Sequence, residues 1–340
     1  VVAMASIADG LRHEQAIVAL YNPKQQGLLS VLKTFGLAAA DFEALARAHG
    51  FTDMAAPLAD WNDARLKAFL ADEQVQARIR PVGQAARAHL QAYFEQQGFF
   101  ACERAALVDI GWNGTIQKFL YESFGQRPDY PEVHGWYLAF VAAMHGDFGM
   151  GERIEGLLLD ARRGDAYERA PMDFEEIFEQ AARAAEGTTL GYQAVEGRIV
   201  PVLKSDDSPD RHGELACNPL IAQLQAGVLE HLEDFHAVWS LTGYKAQQLK
   251  PYVQALLERA VVYPTPEEVA HIGQLVHTED FGHDHTLDIA PPPVGWLDLL
   301  RPRQLYHRLR PLAWKFAAFA HFPSDLPAWL FRLVHLKKRQ

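Results

Sequence analysis

Three stretches of the 340-residue chain predict an α/β fold: a Rossmann-like parallel sheet core between a helical N-terminal layer and a helical C-terminal region. In the first, the apolar run Ala105-Ala106-Leu107-Val108 ends on an acid, Asp109. A loop with two glycines follows, and then Ile116, Phe119, Leu120 and Phe124 recur at the spacing of one helix face. The second is the β-rich run over residues 133–141, set off by Pro128 and Pro131. The third is Ile154-Glu155-Gly156-Leu157-Leu158-Leu159. Strands separated by a helix imply right-handed βαβ units and a mainly parallel sheet.

The other elements follow in order. Residues 10–95 read as mostly helical. Asp41 caps a helix carrying Phe42, Leu45 and Ala46. Asp63 caps a second, with Leu66, Phe69 and Leu70. A third, over 84–97, stops at Gly98. Arg78, Arg80 and Arg87 form a basic cluster, which suits a solvated face or phosphate contacts. After the sheet, Asp173 caps a helix containing Phe174, Ile177 and Phe178. Residues 187–192 and 197–203 form a hairpin that turns near Glu196-Gly197. Residues 204–213 are a polar connection, and 216–262 are helical. Pro264-Thr265-Pro266-Glu267-Glu268 is a helix start with threonine at the cap and glutamate three residues on. Pro291-Pro292-Pro293 is a stiff break. Four regions result: a helical region 1–98, an α/β core 99–215, a helical region 216–290 and a basic amphipathic tail 291–340.

Composition narrows the class. Apolar residues make up 49%, enough for a sizeable core. Cys102 and Cys217 lie in no CxxC pattern, so a disulfide framework is not expected and a reducing, cytoplasmic setting fits. No signal peptide and no bilayer-spanning apolar run is visible. The apolar start at Val1, without Met, suggests a piece of a longer protein. Net charge is −11, unevenly spread: residues 301–340 carry nine Lys/Arg against Asp325 alone. In that tail Leu305, Leu309, Leu312, Phe316 and Phe319 form one helical stripe, with Trp314, Phe322, Trp329 and Phe331 adding aromatics. Such a segment suits either an anionic membrane surface or docking on the chain's own core. The acidic body and lack of an RNA-binding motif speak against nucleic acid.

The chemistry centres on Asp109 and the loop after it. A carboxylate at a strand end can serve as base or nucleophile. Gly111 and Gly114 let backbone approach a phosphate or sugar. Asn113, Thr115 and Gln117 can bond hydroxyls, and Trp112 can stack on a ring. Thr188, Thr189 and Tyr192, between and after glycines, are a second ligand edge. Glu155, Glu175 and Glu176 are further acids. The stretch from His277 to His285 has side chains that suit zinc or manganese, but at no established metal spacing, so no metal ligand is assigned. The cofactor stays open, with Mg²⁺ the one the chemistry would admit.

Residues 107–117 resemble the "VDIGWxGTxQ" signature of a bacterial family. Its members are labelled predicted hydrolases of the haloacid dehalogenase (HAD) superfamily, and are often encoded with or fused to surface-polysaccharide glycosyltransferases. Tyr93 to Gly98 is similar to that family's "YxxQxG" lead-in, and Gly135-Trp136-Tyr137-Leu138 to its "GxYL" strand. Gly187 to Tyr192 matches its "GTxxGY" element, and Pro264 to Glu268 resembles its "PTxEEA". The likeness covers roughly residues 15–300. HAD phosphatases carry Asp-x-Asp, whereas Gly111 stands here where the second acid should be, which weakens a phosphoaspartyl mechanism. In the family the HAD domain proper lies N-terminal to this region. The loop, the tail and the resemblance together suggest an enzyme of surface-polysaccharide biosynthesis, with the basic tail over residues 301–340 suiting a peripheral place on the inner face of the plasma membrane. It would act by glycosyl transfer on a phosphorylated, nucleotide-linked or lipid-linked sugar. The alternatives are a HAD-type phosphosugar hydrolase, and a sugar-binding scaffold for a partner glycosyltransferase.

Overall fold

A computed structural model describes residues 1–18, 20, 24–141, 153–163, 173–208, 211–279 and 285–337, with backbone alone at 246, 277–279, 285–288, 336 and 337. The N-terminal layer consists of α1 (Val2–Ser6), α2 (His13–Val18), α3 (Leu28–Thr34), α4 (Glu43–Ala48), α5 (Ala64–Ala71) and α6 (Glu73–Gln96). Its core holds Phe35, Phe42, Phe51 and Phe69 with the aliphatics between them. Asp63 caps α5 as expected, accepting from Arg65 N–H at 2.9 Å. Asp41 does not cap: it lies inside a 3₁₀ turn over Ala39–Phe42. The helix expected over 84–97 begins earlier, at Asp72, whose carboxylate accepts from Gln74 N–H; Pro81 sits within it.

The sheet follows: β1 (Arg104–Asp109), α7 (Thr115–Phe124), β2 (Glu132–Phe140) and β3 (Ile154–Asp160). Order is β1-β2-β3 and both pairings are parallel. A buried apolar face explains the placing of α7. Phe119 joins the N-terminal core, while Leu120 and Phe124 pack with Ala5 and Leu90. On β2, Val133, Gly135, Tyr137 and Ala139 are buried, and the alternation turns His134 and Trp136 the other way. That second face is open: Val108 is 74% exposed and its register partner Trp136 47%. Parallel sheets are ordinarily covered on both faces. The described fold is therefore mixed α/β with a small three-stranded parallel sheet.

The hairpin of β4 (Thr189–Val195) and β5 (Arg198–Leu203) forms a separate antiparallel sheet. It turns at Glu196 and Gly197, both in the left-handed region, as the sequence predicts. Next come α8 (Glu175–Ala182, before the hairpin), α9 (Arg211–Thr242), α10 (Ala246–Val262) and α11 (Pro266–Ile272). Strands β6 (Val276–Glu279) and β7 (His285–Asp288) pair antiparallel, and α12 (Trp296–Leu299), α13 (Pro302–Leu309) and α14 (Leu326–Lys337) end the chain. The Thr265 capping box forms as the spacing predicts, with Thr265 Oγ1 accepting from Glu268 N–H and Glu268 accepting from Thr265 N–H.

The tail is not an appendage. Leu305, Leu309, Phe316 and Phe319 are buried in one core with Phe174, Ile221 and Val261. Trp314 stacks on Phe174 at 4.6 Å and donates to Val261 C=O at 2.9 Å. The stripe expected to serve either a membrane or the core thus serves the core. Asp173, expected to cap α8, is instead buried beside Lys315, whose ammonium donates to its carbonyl at 3.2 Å, and His335 Nε2, 3.1 Å from its carboxylate. No helix among the described residues is long and apolar enough to cross a membrane.

Candidate functional site

Asp109 is the last residue of β1, opposite Tyr137 of β2. Beyond it the chain keeps to the edge of β2. Ile110 C=O accepts from Ala139 N–H at 3.1 Å and Trp112 C=O from Val141 N–H at 2.8 Å. Gly111 lies between those bonds at φ +142°, and a Cβ there would stand 2.3 Å from Ala139 C=O, so only glycine fits. The Gly111–Trp112 peptide is cis. Gly114, at φ +67°, occupies the cap position of α7, against Phe140 and Ile154. The two glycines are therefore explained by backbone approach to β2 and by the helix start.

No side chain caps α7. Its first-turn N–H groups and the positive end of its dipole open at the carboxyl edge of the sheet, where anions are favoured. Asp109 lies half-buried at the same edge. Burial raises its carboxyl above the ordinary range, and the N–H groups of Gly111 (3.4 Å) and Ile110 only partly offset this. Among the described residues no cation pairs with it. Tyr137, fully buried, has its phenol pushed upward by burial first and by the charge of Asp109 second.

Trp112, Asn113 and Thr115 are partly exposed around this edge. Gln117 is not available to a ligand. It is 1% exposed, its amide donates to Val133 C=O at 3.1 Å and Arg153 C=O at 3.4 Å, and its oxygen accepts from Tyr137 Oη at 3.1 Å. A polar side chain three residues into a helix reads as ligand-facing, but here the helix turns it inward to tie α7 to β2. Thr188, Thr189 and Tyr192 belong to the hairpin lead-in and β4. Tyr192 stacks on Tyr93 of α6 at 4.3 Å and clusters with Phe99, Phe100 and Tyr130, the residues leading into β1 and β2. That puts Tyr192 toward the amino ends of the strands, so it does not join Asp109 in one edge. Arg78 bonds Asp41 C=O and Arg87 bonds Ala5 C=O and Asp9, fastening α6 to its neighbours, while Arg80 bonds Glu73 within α6 itself. Glu155 pairs with Arg163 at 3.7 Å, while Glu175 and Glu176 open α8.

Sequence reasoning missed a second carboxylate at this edge. Asp160 ends β3 as Asp109 ends β1, with β2 between them. The shared pattern of an apolar run closing on an acid was there to be read. Asp160 is fully buried and held by Arg162 through Nε at 2.9 Å and Nη2 at 2.7 Å, with further bonds from the N–H groups of Gly156 and Arg162. Burial alone would raise its carboxyl; the Arg162 bonds and charge outweigh that and hold it below the usual range. Arg162 also lies over the Phe140 ring. Asp160 therefore braces the edge, and its lone pairs are not aimed at a cation shared with Asp109.

Residues 142–152 and 164–172, which follow β2 and β3, lie outside the described residues, as do 280–284 of the histidine-rich stretch. Among the described residues no three His, Cys, Asp or Glu side chains are grouped to hold a metal ion. One cavity of about 410 Å³ lies between α12 and α13, lined by Asp298, Arg301, Gln304 and Arg308. Another, of about 320 Å³, lies where residues 9–13 meet α5 and α6. No protein-family model matches the chain, and no curated protein matches it.

Proposed function

We propose that the protein is an enzyme of bacterial surface-polysaccharide biosynthesis that transfers a glycosyl group from a phosphorylated, nucleotide-linked or lipid-linked sugar. The reading treats the sheet as half of a Rossmann-like unit that meets its ligand at the strand ends. One observation carries it: a half-buried carboxyl with a raised pKa, Asp109, stands beside the uncapped N-terminus of α7 at the carboxyl edge of a parallel sheet. The resemblance of residues 107–117 to the polysaccharide-associated family adds the substrate class.

In this reading the α7 N–H groups hold the phosphate or diphosphate, and Trp112 and Asn113 flank the sugar. Ionised Asp109 takes the proton of the acceptor hydroxyl as its oxygen bonds to the anomeric carbon. The bond from that carbon to the phosphate oxygen breaks, and the released phosphate keeps the electron pair and stays on the helix N-terminus. The protein works at the inner face of the plasma membrane, beside a partner glycosyltransferase.

Asp109→Asn tests the assignment. Turnover of a nucleotide-sugar or sugar-phosphate donor should fall on the order of 10²- to 10⁴-fold while donor binding persists. In the wild type the acid limb of the rate profile should sit above the ordinary carboxylate value of about 4. The same substitution has a signed effect on stability. A carboxyl whose folded value is raised ionises first in the unfolded chain, so folding is penalised once pH passes the unfolded value. Asp109→Asn should therefore stabilise the protein at neutral pH and leave it unchanged in acid. Full turnover in the variant removes Asp109 from the chemistry, and Mg²⁺-dependent release of inorganic phosphate by the wild type moves the assignment to a hydrolase.

A further inference from the structure

Helix α9 outruns the body it grows from. Its first turns pack through Cys217 and Ile221, yet every residue over 226–245 is exposed. The helix ends at Gly243, left-handed at φ +67°, whose N–H bonds Trp239 C=O at 2.9 Å. Along this exposed arm Val228, Leu232, Phe235 and Trp239 recur at 4, 3 and 4, and Leu229 and Val238 flank them. A solvated helix presents polar residues all round; this one carries an apolar seam with the spacing of a coiled coil.

The seam is a palindrome. Reflected about the bond between Glu233 and Asp234, Val228 maps onto Trp239 and Leu232 onto Phe235; Leu229 maps onto Val238 and His231 onto His236. In each layer a ring meets an aliphatic side chain. The charged residues between 226 and 242, Glu230, Glu233 and Asp234, fall on the opposite side of the helix. An antiparallel two-fold contact sets each seam residue against its reflected mate in the second copy, so every bulky ring finds an aliphatic side chain opposite it and the seam is complementary to itself. Heterologous partners impose no such symmetry. An anionic leaflet is a poor occupant, because the arm has three acids and no Lys or Arg between residues 222 and 244.

We propose that two copies of this chain associate through residues 226–242 of α9 as an antiparallel helix pair, with Leu232 of one copy against Phe235 of the other about a two-fold axis at Glu233/Asp234. The inference stands apart from the chemistry assigned to Asp109.

Light scattering and sedimentation on the full chain test it. The wild type should be dimeric at about 100 µM, and Phe235→Glu should weaken association at least about tenfold. Glu230→Lys, on the far side, should not. Because the arm packs on no other described residue, thermal unfolding of Phe235→Glu should match that of the wild type at dilution, where both are monomeric and association no longer adds to stability. The register is tested with Cys102, exposed, replaced by serine. In that background Val228→Cys with Trp239→Cys should form an interchain disulfide, because the two-fold sets these two seam positions against each other; Val228→Cys alone should not, since its two copies would lie about 16 Å apart along the pair, beyond the roughly 7 Å between Cα atoms that a bridge allows. A monomeric wild type, a dimer that survives Phe235→Glu, or crosslinking by Val228→Cys alone would each overturn the proposal. So would arm-dependent vesicle binding without dimers.

Discussion

Gly111 shows how much one residue decides. Its φ of +142° and the 2.3 Å approach of Ala139 C=O to any Cβ leave no room for a side chain. Asp109 owes its setting to that glycine, because the chain can hug β2 after the strand ends only if Gly111 does. Gly111→Ala should cost about 2 to 3 kcal/mol in urea unfolding, from backbone strain together with displacement of the β2 edge. Gly191→Ala is the control: nothing lies within 4 Å of a Cβ there, and its φ is not left-handed. It should change stability by less than about 0.5 kcal/mol. Equal losses in the two would mean that Gly111 is not held as described.

At the scale of elements, the joint between α7 and β2 matters most. Gln117 supplies it, with an amide that satisfies two backbone carbonyls and an oxygen that receives the buried Tyr137 hydroxyl. Gly135 permits it, since a Cβ there would lie 2.0 Å from the Gln117 oxygen. Gln117→Met keeps the volume and removes the partners. Leaving the Tyr137 hydroxyl and the Val133 carbonyl buried without them should cost about 2 to 3 kcal/mol by chemical denaturation. Ligand affinity at the α7 N-terminus should fall only as far as the helix shifts. A variant as stable as the wild type would show that these bonds do not tie helix to strand.

At the scale of the molecule, the basic C-terminal region has a buried side and an exposed one. Its inner face is core, sealed by Trp314, Phe316 and the buried Lys315–Asp173–His335 cluster. Its outer face leaves Trp296, Leu297 and Leu300 of α12 and Trp329, Leu330 and Leu333 of α14 exposed, with Arg301, Arg303 and Arg310 exposed nearby. We propose this outer face, rather than the buried stripe, as the contact with an anionic membrane. Each basic residue near such a surface contributes about 1 kcal/mol. The full chain should co-sediment with vesicles containing acidic lipid and be released by high salt, and Trp329→Ser with Leu333→Ser should weaken that binding about tenfold or more without unfolding the protein. Equal binding to neutral vesicles, or no loss in the double variant, would refute the assignment.

The sequence by itself determined what adjacent residues decide. Strand ends, the α7 start, the hairpin turn at Glu196-Gly197 and the Thr265 capping box were legible, because periodicity, glycine conformation and capping act within a few residues. Asp109 was legible too, as an acid closing an apolar strand. Only the tertiary structure decided which way Gln117 points, that Tyr192 packs toward the amino ends of the strands, that Asp173 sits in a buried cluster instead of capping α8, and that Asp160 reaches the same edge as Asp109. It also decided that the tail stripe belongs to the core while residues 226–245 of the α9 region stand exposed. An amphipathic pattern states that a face must be covered. What covers it is settled by segments tens or hundreds of residues away, and local sequence holds no record of them.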